Sequence, residues 1–129
     1  MTGAKAKRIL IVDDAALVRA YYRQALESAG YSIDEALNGL EALEKVLLHS
    51  FDLLIVDVNM PQMDGMTFLR ALRQKELPLS SIPVLVTSSE AGPQDMVAAR
   101  AAGANYYSIK PLKQEALTEL VGMLCGATA

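Results

Sequence analysis

The chain has 129 residues, the size of one ordinary domain, and 52% of them are hydrophobic, enough for a substantial core. The net charge of −3 argues against a nucleic-acid-binding face, and the single cysteine, Cys125, excludes an internal disulfide and fits a reducing compartment. Because the sequence has neither a secretory signal nor an apolar run that could cross a bilayer, we expect a cytoplasmic protein with no membrane insertion.

The first predicted strand is a continuous apolar run, preceded by residues 1–7, which we expect to form a mobile tail. The run extends from Ile9 to Val12 and ends in two acids, Asp13 and Asp14. Short apolar runs bounded by polar residues are typical of strands buried on both faces. Helical spacing follows from Ala15 to Ala29. Its predicted apolar stripe comprises Val18, Tyr21, Tyr22, Ala25, Leu26 and Ala29, with Arg19, Arg23 and Glu27 opposite.

The second strand and helix are predicted from weaker signals. Residues 31–37 alternate between apolar and polar, which is typical of an edge strand. Asn38-Gly39 predicts a turn, and a helix then runs to about Ser50. The predicted inward residues of this helix are Leu40, Leu43, Val46 and Leu47.

The third strand combines a buried run with a chemically active residue. Leu53 to Val56 are all large and apolar, and Asp57 follows at the carboxyl end of the run. A loop containing Pro61 and Gly65 comes next, and we expect a helix from Met66 to Lys75. Its predicted inward residues are Phe68, Leu69 and Leu72.

The last two units repeat this arrangement. Val84 to Val86 predict the fourth strand, which ends at Thr87, and Pro93 suits the first turn of the following helix. We expect a short fifth strand over residues 105–109, followed directly by Lys110, and a last helix over residues 115–124. The predicted apolar residues of the two helices are Met96, Val97, Ala99, Leu117, Leu120, Val121 and Leu124.

Alternating strands and helices, repeated five times, predict one α/β domain over residues 1–129. The architecture is a doubly wound, five-stranded parallel sheet, (βα)5, of the flavodoxin type with strand order 2-1-3-4-5. In that order strands one and three flank the point where ligands bind, which brings Asp13, Asp14 and Asp57 together.

These strand ends favour phosphoryl transfer to a carboxylate. Three carboxylates in one crevice repel one another, and a hard divalent cation, Mg²⁺ or alternatively Mn²⁺, would relieve that repulsion. Lys110 supplies a positive charge for a carboxylate or a phosphoryl oxygen, and the Thr87 hydroxyl can donate to the same oxygen. Asp57 would be the nucleophile.

The order of these residues resembles the receiver domain of two-component response regulators, and the resemblance covers essentially the whole chain. The motifs that carry it are Asp13-Asp14, Asp57, Asn59-Met60-Pro61, Met63-Asp64-Gly65, Thr87 and Lys110-Pro111. The length resembles the stand-alone members of the family, of which the chemotaxis protein CheY is the best known. The implied fold is CheY-like.

The resemblance implies a role for each acid. Asp57 resembles the phosphoacceptor. Asp14 and the backbone carbonyl of Asn59 resemble direct metal ligands beside Asp57, and Asp13 resembles the acid that holds the metal through water. Lys110 resembles the catalytic lysine of the family, and its bond to Pro111 is cis in many members.

The resemblance also implies a switch. Thr87 and Tyr107 resemble the pair in which the threonine moves toward the phosphoryl group and the aromatic ring turns inward. A register error of one residue would exchange Tyr107 with Tyr106. Ser88 and Ser89 would neighbour the phosphoryl group; an alanine is common at the first position, and CheY has an acid at the second.

The implied function is a single-domain response regulator that accepts a phosphoryl group from a sensor histidine kinase or a phosphotransfer protein. It would catalyse only its own phosphorylation and dephosphorylation, and would signal through the fourth helix, fifth strand and fifth helix, approximately residues 93–124, to an unidentified protein partner. A chemotaxis-type pathway, another two-component pathway, a phosphorelay intermediate and a phosphate sink all stay open. So do a monomer and a phosphorylation-dependent dimer. By analogy of fold, Arg19 and Arg23 would help select the kinase.

Two other classes compete with this interpretation. A Mg²⁺-dependent phosphatase resembling haloacid dehalogenases would need an acid two residues after Asp57, where this chain has Asn59. FMN binding on the same fold conflicts with Asp13 and Asp14, because these acids would repel a phosphate that such loops normally cradle.

Overall fold

The computed structural model describes residues 6–90 and 92–125, which form a five-stranded parallel sheet of order β2-β1-β3-β4-β5. The strands are β1 Arg8–Val12, β2 Ser32–Ala36, β3 Leu53–Asp57, β4 Val84–Ser88 and β5 Tyr106–Ile109. Strand order and direction confirm the predicted fold class. Most of the predicted N-terminal tail, residues 1–5, lies outside the described residues.

Five α-helices and one short 3₁₀ turn connect the strands. The helices are α1 Ala16–Ser28, α2 Gly39–Leu48, α3 Gly65–Arg73, α4 Pro93–Ala102 and α5 Gln114–Cys125, and the 3₁₀ turn is Leu79–Ser81. Asn38, predicted to lie in a turn, caps α2 by accepting a hydrogen bond from the Glu41 N–H at 2.9 Å. None of these helices is long and apolar enough to cross a membrane.

The sheet separates two apolar cores. On one side, Leu54, Val56 and Val86 pack with residues of α2, α3 and α4. On the other side, Ile55 and Leu85 pack with residues of α1 and α5. Because successive strand residues point to opposite faces, the segments of β1, β3 and β4 that lie between the two cores must be apolar at every position, which is the pattern that predicts these strands.

The inward faces of α2 and α4 differ from the prediction. Four large residues expected in the core are at least 46% exposed: Leu40, Leu47, Met96 and Val97. Small residues, Ala42 on α2 and Ala99 and Ala102 on α4, face the sheet instead. Helix-to-sheet spacing depends on side-chain size at the contact, so alanines allow a close approach that the larger residues would prevent. On α1, Tyr22 is buried as predicted, whereas Tyr21 is 43% exposed.

Arg73 closes the end of the molecule opposite the carboxyl ends of the strands. Its guanidinium donates to the carbonyl oxygens of Gly103, at 2.7 and 3.0 Å, and Ile82, at 2.7 Å. It also donates to the carbonyl of Ser80 and to Asn105 Oδ1. A single side chain thus ties α3 to the loops that precede β4 and β5.

Candidate active site at the carboxyl edge of the sheet

Strand register brings the predicted site residues to one edge of the sheet. Asp57 is the last residue of β3 and lies directly opposite Thr87 of β4. Asp13 follows β1 and continues its ladder by donating its N–H to the Ala36 carbonyl at 3.1 Å. The alternation of buried residues along each strand places Asp13, Asp57 and Thr87 on the same side as the core of α1 and α5.

The three acids form a cluster. Asp13, Asp14 and Asp57 each offer a carboxylate oxygen within 4.8 Å of the others. Asp13 is only 2% exposed and Asp57 6%, while Asp14 is exposed at the rim. The order of the strands therefore gathers the acids as predicted.

Lys110 bridges the two buried carboxylates. Its Nζ lies 2.9 Å from Asp13 Oδ2 and 2.9 Å from Asp57 Oδ1. The Lys110 N–H donates to the Ser88 carbonyl at 2.7 Å, which fixes the start of the loop after β5. The Lys110–Pro111 bond is cis, as the family resemblance implied.

Burial and charge shift the protonation equilibria of this cluster. Burial, helped by the neighbouring charges of Asp13 and Asp14, raises the pKa of Asp57, and Lys110 only partly offsets this. Burial alone would lower the pKa of Lys110, but its hydrogen bonds to Asp57 and Asp13 outweigh that effect and raise the pKa. Burial also raises the pKa of Tyr22, behind the cluster, to about 12.

The loop after β3 is held close to Asp57. The Gly65 N–H donates to the Val58 carbonyl at 2.9 Å, and a Cβ at position 65 would overlap the Asp57 carbonyl. Glycine is therefore needed for α3 to begin against the site. Asn59 lies in this loop, two residues after Asp57, and is exposed.

The Thr87 hydroxyl is the unsatisfied group of the site. Thr87 is fully buried, and its Oγ1 has no hydrogen-bond partner among residues 6–90 and 92–125. Ser88 is also buried and accepts a hydrogen bond from the Glu90 N–H at 3.0 Å, whereas Ser89 is exposed. An unpaired buried hydroxyl costs free energy, so its presence beside Asp57 is consistent with an acceptor that binds there.

Tyr107 does not reach the acid cluster. It lies opposite Val86, packs against the core of α2, α3 and α4, and donates its hydroxyl to the Glu90 carbonyl at 2.6 Å. Tyr106 lies opposite Leu85 and is 44% exposed. Of the two tyrosines, Tyr107 is therefore the one linked to the loop that follows Thr87.

The donor set suits a hard cation. The carboxylates of Asp13, Asp14 and Asp57 are oxygen ligands of the type that Mg²⁺ prefers, and this cluster contains no histidine or cysteine of the kind that zinc sites favour. The Asn59 carbonyl could add a further oxygen from the adjacent loop. The residues present therefore fit the metal that the sequence predicted.

Two features of the site are not predicted by the sequence pattern. The helical spacing predicts Arg19 on the outer face of α1, but its side chain is 12% exposed and donates to the Asp13 carbonyl at 2.7 Å. An apolar cavity of about 230 Å³ also opens beside Lys110, between α1 and the loop before α5. The other residues that line the cavity are Leu17, Val18, Tyr21, Tyr22, Pro111 and Leu112.

Known proteins resemble this chain in sequence. A family model described as the response regulator receiver domain matches residues 9–122. A gliding motility regulatory protein of Myxococcus xanthus is 37% identical over 95% of this chain and 16% of its own length. The transcriptional regulatory protein PrrA of Mycobacterium leprae is 35% identical over 99% of this chain and 55% of its own length. The chain thus spans about half or less of the length of these curated relatives.

Solved structures resemble it over nearly their whole length. The chemotaxis protein CheY4 of Vibrio cholerae superposes with a TM-score of 0.86 at 32% identity, covering 92% of this chain and 98% of that one. A CheY-like response regulator receiver domain protein of Methanospirillum hungatei has a TM-score of 0.84 at 30% identity, with 92% of both chains covered.

Proposed function

The chain belongs to the response regulator receiver domain family, and we propose that it takes up a phosphoryl group on Asp57 and signals through a protein contact. The observation that carries this proposal is the setting of Asp57. Asp57 is 6% exposed at the end of a central strand, and its carboxylate lies 2.9 Å from Lys110 Nζ and clusters with two further acids.

The chemistry proposed is an in-line displacement at phosphorus. A carboxylate oxygen of Asp57 attacks the phosphorus of a phosphohistidine donor, so that a P–O bond forms as the P–N bond breaks. The donor imidazole leaves with the electron pair of the broken bond. The product is an acyl phosphate on Asp57.

The residues around Asp57 have distinct parts in this step. When Mg²⁺ is held by Asp13, Asp14, Asp57 and the Asn59 carbonyl, it supplies positive charge next to the transferring group. The Lys110 ammonium already contacts the Asp57 carboxylate and can form an ion pair with a phosphoryl oxygen once that group is attached. The Thr87 hydroxyl, which is buried and unpaired among the described residues, is a suitable donor to another such oxygen.

The cavity beside Lys110 supports a protein as the phosphodonor. Its walls are mainly apolar, and Leu17 on its rim is 86% exposed. A donor protein could bury an apolar side chain here while its phosphohistidine reaches Asp57. We therefore assign this face to a sensor histidine kinase or a phosphotransfer protein.

The proposed output surface is formed by α4, β5 and α5. The Tyr107 hydroxyl bonds to the Glu90 carbonyl in the loop that connects Thr87 and Ser88 to α4, so a movement of Thr87 has a direct route to this surface. The surface exposes apolar residues suited to a protein contact, namely Met96, Val97, Tyr106, Ile109 and Met123.

We further propose that the protein works as a CheY-like regulator in the cytoplasm, as a monomer or as a dimer formed on phosphorylation. The pathway could be chemotaxis or another two-component pathway, and the chain could equally serve as a relay intermediate or a phosphate sink. These roles share the same chemistry at Asp57 and differ in the fate of the phosphoryl group.

A labelling experiment tests the proposed chemistry. The wild-type protein and Asp57→Asn are incubated with Mg²⁺ and acetyl phosphate, and their intact masses are compared. We expect one added phosphoryl group on the wild-type protein only. Equal labelling of both proteins would contradict the assignment, and rapid, continuous release of phosphate from phosphomonoesters would favour a phosphatase instead.

A further inference from the structure

Arg19 connects the acid cluster to the β2 edge of the sheet. We propose that Arg19, anchored by Glu35, is a positioning residue for the metal site, because it fixes the peptide that joins Asp13 to Asp14. This inference rests on the proposed function, since it concerns the Mg²⁺ that the acids would bind.

The guanidinium of Arg19 is held at two points. Its Nη1 donates to the Asp13 carbonyl at 2.7 Å, and its Nε donates to Glu35 Oε1 at 2.8 Å. The side chain is 12% exposed, so both contacts are largely shielded from water. Glu35 lies in β2, opposite Ile11 of β1, which places the anchor on a rigid strand.

Asp13 is fixed at four atoms, and Arg19 supplies the contact to the carbonyl. The N–H of Asp13 donates to the Ala36 carbonyl, its Oδ1 accepts from the Ala15 N–H, and its Oδ2 accepts from Lys110. The Asp13 carbonyl belongs to the planar peptide that leads into Asp14. Holding that oxygen therefore sets the direction in which the exposed Asp14 leaves the strand end.

Arg23 provides a matched control within the same network. It lies one helical turn after Arg19 and contacts the other oxygen of the same anchor, with Nε 2.9 Å from Glu35 Oε2. Its backbone contact is the Ile33 carbonyl, at 2.9 Å, in the β2 edge strand. Arg23 thus shares the helix, the charge and the anchor with Arg19, but it does not touch Asp13.

The comparison of Arg19→Met with Arg23→Met isolates the positioning effect. Both substitutions remove one positive charge near the site, which by itself would strengthen Mg²⁺ binding slightly. Both also weaken the attachment of α1 to β2. Only Arg19→Met releases the Asp13 carbonyl, so a difference between the two variants reports on that contact.

The test measures Mg²⁺ affinity by titration calorimetry and follows the amide signals of residues 12–16 by NMR. We expect Arg19→Met to bind Mg²⁺ about tenfold more weakly than Arg23→Met, which is the usual effect of losing a residue that holds a metal ligand in place. We also expect only Arg19→Met to shift the Asp14 amide in metal-free protein. Equal Mg²⁺ affinities in the two variants would overturn the inference.

Arg19→Lys keeps the test decisive if Arg19→Met fails to fold. A lysine retains the charge, but one ammonium cannot reproduce the two contacts of a guanidinium fork, so we expect Arg19→Lys to bind Mg²⁺ more weakly than the wild type does. An affinity equal to that of the wild type would overturn the inference. If the wild-type protein neither binds Mg²⁺ nor becomes labelled on Asp57, the proposed function fails and this inference fails with it.

Discussion

Thr87 lies directly opposite Asp57 in the paired strands β3 and β4, and its buried hydroxyl has no partner within residues 6–90 and 92–125. Isolated buried hydroxyls are uncommon because each one loses its hydrogen bonds to water on folding. Here the unpaired donor stands next to the carboxylate proposed to carry a phosphoryl group. The stability lost in the unphosphorylated protein is thus consistent with a role that begins after phosphorylation.

Thr87→Val should separate the effect of the Thr87 hydroxyl on stability from its effect on phosphorylation. Valine has nearly the same shape as threonine and removes the unpaired hydroxyl, so we expect the free energy of unfolding to rise by about 1 kcal/mol in urea titrations. Acetyl phosphate should label the variant more slowly than the wild type, whereas Thr87→Ser, which keeps the hydroxyl, should stay close to it. A destabilised but normally labelled Thr87→Val protein would contradict this account of Thr87.

Lys110→Met should destabilise the protein, because Lys110 offsets the repulsion between the Asp13 and Asp57 carboxylates. Two buried carboxylates would lose their shared cation, and we expect a loss of about 3 kcal/mol in the free energy of unfolding in metal-free buffer. Mg²⁺ should restore part of this loss by taking over the charge balance. Lys113→Met, at an exposed neighbouring position, is the control and should be nearly neutral. A Lys110→Met protein as stable as this control would show that the bridge has little energetic weight.

Mg²⁺ should stabilise the wild-type protein against unfolding. A single site at a hundredfold excess over its dissociation constant adds about 2.7 kcal/mol, which appears as a rise in melting temperature. Asp14→Ala should reduce Mg²⁺ affinity by about tenfold or more, because losing a residue that only orients a metal ligand already has an effect of that size. Glu44→Ala, an exposed acid on α2, is the control. Unchanged affinity in Asp14→Ala would remove Asp14 from the metal site.

The raised pKa of Asp57 predicts an unusual pH dependence in metal-free buffer. The folded protein holds this proton more tightly than the unfolded chain, so the Asp57 contribution to stability declines as the pH rises from the ordinary aspartate pKa through the raised one. The asparagine of Asp57→Asn does not titrate, so this variant lacks the pH-dependent loss of stability that Asp57 causes. Its stability advantage over the wild type should therefore grow across that window and vanish below it. An advantage that is largest at low pH would contradict the sign of the shift.

The strands and the acid cluster were predictable because their signals are local. Short apolar runs such as Leu53 to Val56 are typical of strands buried on both faces. In β3 this run leads directly to Asp57. The parallel topology then brings the strand ends together, so Asp13 and Asp57 could be paired without any knowledge of the helices.

The helix faces and the arginine contacts were not predictable in the same way. Spacing alone assigned Leu40 and Met96 to the core, although alanines occupy the contact with the sheet. The role of Arg19 depends on its contact with Glu35. Glu35 lies beside α1 because of the register of β2 on β1, and no fixed sequence spacing between Arg19 and Glu35 signals that contact. Arg73 likewise binds carbonyls of distant loops, and the side chains of those loops carry no matching signal.

The most direct test of the central claim is to locate the phosphoryl group in the chain. The wild-type protein is labelled with acetyl phosphate and Mg²⁺, the acyl phosphate is trapped by borohydride reduction, and the digested peptides are sequenced by mass spectrometry. The account predicts that the reduced residue is Asp57. Reduction at Asp13 or Asp14, or a stable phosphoryl group on His49 or a serine, would contradict it.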